Sequence, residues 1–209
     1  MNVVIFGASG ATGQRVVERA LEAGHYVSAF VRTPGKLTIS HQNLRVLEGN
    51  VADAPGVARA VHGQDAVVST LGVGTPLKHD PAVISGVGHI LDAMARANVR
   101  RIVYLSFTGV RDLRGAARYV IRPVVGYLLR HEIADHEAKE RLIKASPADW
   151  TIVHAPKLTN GPATGRYRTG PAIQGQSAFP VISRADVAAF IVEQLADRSF
   201  VRTVTRVLP

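Results

Sequence analysis

The chain opens with Val3-Val4-Ile5-Phe6, runs straight into Gly7-Ala8-Ser9-Gly10-Ala11-Thr12-Gly13, and continues as Gln14-Arg15-Val16-Val17-Glu18-Arg19-Ala20-Leu21. An apolar β-branched run, a turn with glycine at every third position and an amphipathic helical pattern together describe a strand, a phosphate loop and a helix. Each glycine has its own task in such a loop. Gly7 permits the tight turn, Gly10 lets the backbone approach a pyrophosphate, and Gly13 lets the helix pack closely on the strand. The helix start then offers free N–H groups and the positive end of its dipole to the phosphates. The spacing is G-x-x-G-x-x-G rather than the G-x-G-x-x-G of the standard fingerprint. Its place directly after a strand is what makes a dinucleotide the expected ligand.

Working outward, apolar runs alternate with helical patterns along the whole chain, the signature of a parallel α/β sheet with helices on both faces. Strands are expected at Asn2–Phe6, Tyr26–Val31, Leu44–Glu48, Ala66–Ser69, Arg101–Ser106, Trp150–His154 and Arg202–Val207. Helices are expected at Thr12–Ala23, Ala54–Val61, Pro81–Ala97, Glu132–Ala145 and Arg184–Ala196, the last with Ser183 as N-cap and Asp186 as its acidic N3 residue. The expected fold is a doubly wound, Rossmann-like α/β domain over residues 1–209, with substrate-side elements at about 107–130 and 156–180. The first of these holds an apolar stretch broken near Pro123, read as lid, core or dimer surface. The second is rich in Gly, Pro and Thr and leaves the sixth strand at the sheet edge where ligands bind.

With 209 residues, 46% of them hydrophobic, and a mean hydropathy of +0.10, the chain fills one core and is short for two. No run approaches the roughly 20 apolar residues of a membrane span. No basic start or cleavage site precedes the first strand, and there are no cysteines, so neither disulfide nor thiolate chemistry enters. A cytoplasmic home, as monomer or homodimer, is the expectation. The net charge of +9 points to anionic partners. Arg111, Arg114, Arg118 and Arg122 fall at helical spacing and read as a solvated face, an anionic-substrate rim or a subunit contact. Basic residues are otherwise scattered without interleaved aromatics, which argues against nucleic acid.

The cofactor can be narrowed further. A free ribose 2′-hydroxyl is usually held by an acidic residue about 20 positions past the loop, yet no carboxylate lies between Glu22 and Glu48. The second strand instead ends in Arg32-Thr33-Pro34-Gly35-Lys36. Arg32 can fork onto a 2′-phosphate, with Thr33 and Lys36 adding contacts, so NADP(H) is expected over NAD(H).

GASGATG, VRTPGKL, EGNVAD, DAVVSTLG, RRIVYLSFTGV and ADHEAKERLIKASPADWTIVHAPKLTNGPATGRYR together closely resemble the atypical short-chain dehydrogenase/reductase group. The nearest branches are the flavin reductase (biliverdin-IXβ reductase-like) and NmrA-like ones. The resemblance implies that Gly7, Gly10 and Gly13 cradle the pyrophosphate, lined by Ala8, Ser9, Ala11 and Thr12. It further implies that Arg32 takes the 2′-phosphate, Asn50 and Val51 flank the adenine, and Leu71 and Gly72 lie along the ribose. Ser106 falls at the group's catalytic-region serine beside the nicotinamide, and His136 matches a histidine of the flavin reductase branch. That branch's second histidine corresponds to Lys157, which counts against a biliverdin-type activity.

The tyrosine-dependent members use a Tyr-x-x-x-Lys pair, and none of the five tyrosines here has Lys four residues later. His131 and His136 are too far apart for a zinc-binding H-E-x-x-H, and Ser106 lacks the glycines of a nucleophile elbow. His136 reads as a proton donor near neutrality or an exposed or capping histidine, Lys157 as a holder of an anionic substrate or a plain surface residue, and Asp135 and Glu140 as helix-surface charges. Hydride transfer to a flavin, quinone or similar conjugated small-molecule acceptor, which needs little acid catalysis, is therefore the expected reaction. A non-catalytic NADP(H)-sensing protein of the NmrA-like kind is the alternative.

Overall fold

The first strand, β1 (Asn2–Phe6), is buried from Val3 onward, with Val3 and Ile5 in one apolar cluster and Val4 and Phe6 in another. That alternation means both faces of the strand are covered, as a parallel α/β sheet requires. In the computed structural model, which describes residues 1–72, 79–107, 127, 130–175 and 180–209, the cover is complete on both sides. The order of elements is α1 (Ala11–Glu22), β2 (Tyr26–Val31), β3 (Leu44–Glu48), α2 (Ala54–Val61), β4 (Ala66–Ser69), α3 (Pro81–Arg96) and β5 (Arg101–Phe107). It continues with α4 (Arg130–Ala145), β6 (Asp149–Ala155), β7 (Lys157–Thr159), β8 (Arg168–Gly170), β9 (Val181–Ser183), α5 (Arg184–Ala196) and β10 (Thr203–Leu208). A 3₁₀ turn at Pro34–Lys36 follows β2.

The eight-stranded sheet runs β3-β2-β1-β4-β5-β6-β10-β8, parallel except where β8 pairs antiparallel with β10. Helices α1 and α5 supply one apolar cluster, while α2, α3 and α4 supply the other. The chain winds outward from β1 to β3 and then crosses back to β4, so the switch point lies between β1 and β4. In such sheets ligands bind beyond the carboxyl ends of the strands at that point.

The expected strands and helices are all present, with no end displaced by more than two residues. Ser183 caps α5, its Oγ accepting from the Asp186 N–H at 2.9 Å. Segment 156–180 is less irregular than expected, because β7, β8 and β9 lie within or beside it and β7 pairs parallel with β9. The arginines at 111, 114, 118 and 122, the Pro123 break and most of segment 107–130 lie outside the described residues. Among the described residues no helix is long and apolar enough to cross a membrane.

Candidate active site

The glycine loop is fixed by sterics. Gly7 has φ +81°, and a Cβ there would meet Thr70 Oγ1 at 2.8 Å and Thr70 backbone at 3.0 Å. Thr70 continues β4, and its N–H donates to Phe6 O at 2.9 Å, so the turns after β1 and β4 are tied together. At Gly13 a Cβ would fall 2.0 Å from Gly7 O, so only glycine lets α1 lie this close to the loop. Gly10 is the N-cap, with no side-chain cap and no acidic residue in the first turn of α1. Its leading N–H groups, flanked by Ala8, Ser9, Ala11 and Thr12, are left for an anion. A pyrophosphate fits this cradle.

Beside the loop, Arg32 is exposed at the end of β2 and makes no ion pair among the described residues. Thr33 stands at the N-cap position of the 3₁₀ turn with no side-chain cap bond, and Lys36 O accepts from Gln14 Nε2 on α1 at 3.3 Å. Asn50 closes its own turn by accepting from the Ala52 N–H at 3.1 Å. Val51 is packed against Gly86 of α3, where a Cβ would meet its side chain at 2.7 Å, and its carbonyl meets His89 Nδ1 at 2.9 Å. Leu71 and Gly72 follow Thr70 along the same edge. The loop, Arg32, Asn50–Val51 and Leu71–Gly72 thus share one rim of the sheet.

The second half of the site is built by side chains between β5, β6 and α4. Ser106 and His154 are register partners on β5 and β6. Both donate to Glu140 Oε1 of α4, Ser106 Oγ at 2.7 Å and His154 Nε2 at 2.7 Å, while Lys144 Nζ donates to Oε2 at 2.8 Å. His136, one turn earlier, has Nδ1 2.9 Å from Tyr104 Oη and 3.4 Å from Ser106 Oγ. All of these groups but Lys144 are less than 10% exposed.

Two expectations are corrected here. Asp135 and Glu140 are not helix-surface charges, being 0% and 8% exposed. Asp135 Oδ2 instead accepts from the Asp80 N–H at 2.9 Å, with His79 against its other oxygen. Nor is His136 poised near neutrality, because burial first, then Lys139 and His154, lower it to about 3 against the pull of Glu140. Burial raises Glu140, but the hydrogen bonds from His154, Lys144 and Ser106 outweigh it and hold the carboxyl at about 2. Burial, with Glu140 and Asp135 nearby, raises Tyr104 well above its usual range. Lys157 stands apart, exposed at the start of β7 and outside this network.

Tyr104, Lys139 and His154 are functional candidates that the sequence alone does not single out. Lys139 is fully buried, its Nζ 3.4 Å from Leu71 O, and burial lowers it to about 8 although Asp135, Glu132 and Asp80 pull the other way. A signal is present all the same. Positions 135, 136, 139, 140 and 143 form the buried stripe of α4, and four of the five are ionisable at a spacing normally filled by apolar residues.

A family profile described as NAD(P)H-binding matches residues 7–198, most of the chain and the whole of this edge. The chain belongs to the NAD(P)H-binding family. The chain is 26% identical over 205 residues to a Bacillus subtilis protein named an uncharacterized sugar epimerase, covering 95% of this chain and 90% of that one. It is 26% identical over 198 residues to a Streptomyces griseus (4-alkanoyl-5-oxo-2,5-dihydrofuran-3-yl)methyl phosphate reductase, covering 92% of this chain and 62% of that protein. Several dehydrogenases match over 52% of this chain and 32% of their own length. A short-chain dehydrogenase/reductase from Veillonella parvula, solved in complex with NADP, has the same fold, with TM-score 0.81 and 22% identity over 99% of this chain and 93% of that one.

Proposed function

We propose that this NAD(P)H-binding protein is an NADP(H)-dependent reductase that passes a hydride from NADPH to a flavin, a quinone or a similar conjugated acceptor. In this reading the Gly7–Gly13 loop and the start of α1 hold the pyrophosphate. Arg32, Thr33 and Lys36 hold the 2′-phosphate, Asn50 and Val51 flank the adenine, and Leu71 and Gly72 follow the ribose. Lys139, anchored on the Leu71 carbonyl, adds a positive charge to that edge. When bound, NADPH supplies the hydride, and the chain's own residues supply position and proton control.

The observation that supports the reaction class is the protonation state of the α4 network. His136 is held neutral at about 3, and Tyr104 keeps its proton far above neutrality. Neither is an acid matched to pH 7, and Lys139, lowered to about 8, has its Nζ on the Leu71 carbonyl rather than in this cluster. Reduction of an isolated carbonyl needs such an acid at the oxygen, whereas a conjugated ring delocalises the charge it receives, and positioning then contributes most of the rate. Neutral His136, donating from Nε2, can hydrogen-bond an acceptor oxygen without titrating. The name of the Streptomyces griseus relative, a reductase of an oxo-dihydrofuran phosphate, is in keeping with an anionic ring acceptor.

The test is NADPH oxidation across flavins and quinones, run beside calorimetric binding of NADPH and NADH. Turnover on a conjugated acceptor with preferred NADPH binding is the expected result. Tight NADPH binding without turnover on any acceptor would replace this reading with an NADP(H)-sensing role.

A further inference from the structure

Three hydrogen-bond donors converge on Glu140, a costly arrangement at the edge of a core that apolar residues could fill. A buried carboxylate is tolerated only when its lone pairs are met by donors, and here Ser106, His154 and Lys144 meet them at 2.7, 2.7 and 2.8 Å. The direction of each hydrogen then follows. An ionised carboxylate only accepts, so the single hydroxyl hydrogen of Ser106 points at Glu140 Oε1. What Ser106 has left is lone pairs. Tyr104 keeps its proton, and among the described residues its Oη has one acceptor, His136 Nδ1 at 2.9 Å. His136 Nδ1 is therefore bare, its hydrogen sits on Nε2, and the 3.4 Å approach of Nδ1 to Ser106 Oγ sets lone pair against lone pair. Ser106 is not engaged by its neighbour.

We infer that Glu140 is a positioning residue that locks Ser106 as a hydrogen-bond acceptor, so that the site selects acceptor rings carrying an N–H or O–H donor beside the carbonyl they present. This rests on the reductase reading above. An oxidised flavin offers that pattern, a ring N–H between carbonyls, with His136 Nε2–H available to one carbonyl and Ser106 Oγ to the N–H. A simple quinone offers only carbonyls and leaves Ser106 facing an oxygen. Glu140 works through Ser106, and its partner His154 fixes the same carboxylate oxygen from the neighbouring strand.

The test is equilibrium binding of FMN and its 3-methyl derivative, read by flavin fluorescence quenching with NADP⁺ present so that no hydride moves. Wild type is expected to bind FMN roughly five- to tenfold more tightly than the methylated ring, the scale of one net hydrogen bond. Ser106→Ala should abolish that preference. Glu140→Leu should narrow it, because the freed hydroxyl can either accept from the ring N–H or turn and donate to a carbonyl of the methylated ring. Glu140→Gln keeps an acceptor oxygen for Ser106 and should restore most of the preference, which separates the lock from mere loss of structure. If Glu140→Leu fails to fold, the contrast of wild type, Ser106→Ala and Glu140→Gln still decides. Equal binding of both flavins by wild type, or a preference that survives Ser106→Ala, overturns the lock alone. Failure of wild type to bind or reduce any flavin overturns the lock and, if quinones also fail, the reductase reading with it.

Discussion

The two halves of the sheet's carboxyl edge are made of different material. Around β1 and β4 the site is backbone: a glycine with positive φ, a second glycine whose Cβ would fall 2.0 Å from Gly7 O, and helix N–H groups left uncapped. Around β5 and β6 it is side chains: a carboxylate, two histidines, a tyrosine and a serine, buried and hydrogen-bonded to one another. A backbone site binds what every member of a nucleotide-binding family binds and tolerates little change of residue. A side-chain site is tuned residue by residue, and in the reductase reading proposed above that is where the acceptor would be chosen.

The sharpest way to break this contrast is Gly10→Val. Gly10 has φ −74°, which any residue adopts, and its Cβ would meet Gly7 O at 3.2 Å, a tight contact that the fold accommodates by a small shift of the turn. The pyrophosphate does not accommodate it. Loss of both NADPH and NADH binding by at least about a hundredfold is expected, since a branched side chain takes the space the phosphates need, while the protein still folds with a modestly lower melting temperature. Binding retained by the folded variant would remove the phosphate-loop assignment.

The side-chain half should show itself in acid instead. Burial lowers His136 from 6.5 to about 3, so the unfolded chain takes up a proton that the folded protein refuses across that window. Stability must then fall as pH drops below about 6.5. Glu140, lowered from 4.5 to about 2, adds a loss of the same sign at lower pH. Each tenfold difference in proton affinity between folded and unfolded chain is worth about 1.4 kcal/mol, so the histidine alone contributes several kcal/mol. Urea unfolding at pH 7 and pH 4.5 should show the fall in wild type and a flatter dependence in His136→Gln. An unchanged slope in that variant would mean that His136 is hydrated and protonates freely.

The same division explains what is legible in the sequence. Backbone sites are local, so seven residues from Gly7 to Gly13 are enough to announce the loop, and the alternation of apolar runs marks the central strands to within a residue or two. The short strands β7, β8 and β9 leave no such trace, because three residues hold no periodicity. Glu140 looks like a surface residue because charge normally means exposure. Its i+4 partner Lys144 fits a surface pair, while Ser106 and His154 lie 34 and 14 residues away on other elements, so no local pattern reveals them. His136 stands out by resemblance, but its charge state depends on burial, which the sequence around it does not express.

A smaller effect separates the two ends of the cofactor edge. Arg32 is exposed and unpaired among the described residues, so its guanidinium is free to fork onto a phosphate. Arg32→Ala should weaken NADPH binding by about 1.5–3 kcal/mol, the range for charge-assisted hydrogen bonds, and leave NADH nearly unchanged. Calorimetry on both cofactors measures it. Equal losses would show that Arg32 does not read the 2′-phosphate.

The smallest effect expected is at Lys157, and it tests whether the acceptor side extends past the buried network. Lys157 is exposed at the first residue of β7, just beyond the strand that carries His154 and outside the buried network, so in the reductase reading its role is to attract an anionic group rather than to hold the ring. A lone ammonium in water is a weak, salt-screened point charge. Lys157→Ala should therefore raise KM for FMN by roughly three- to fivefold while changing KM for riboflavin less, because only FMN carries the phosphate, and kcat should move less than KM. Raising the salt should shrink the wild-type advantage toward the variant's value. Steady-state kinetics with the two flavins at low and high ionic strength decide it. A loss in kcat that is equal for FMN and riboflavin and indifferent to salt would place Lys157 among the groups that position the ring, and would move the boundary of the tuned half of the site outward onto β7.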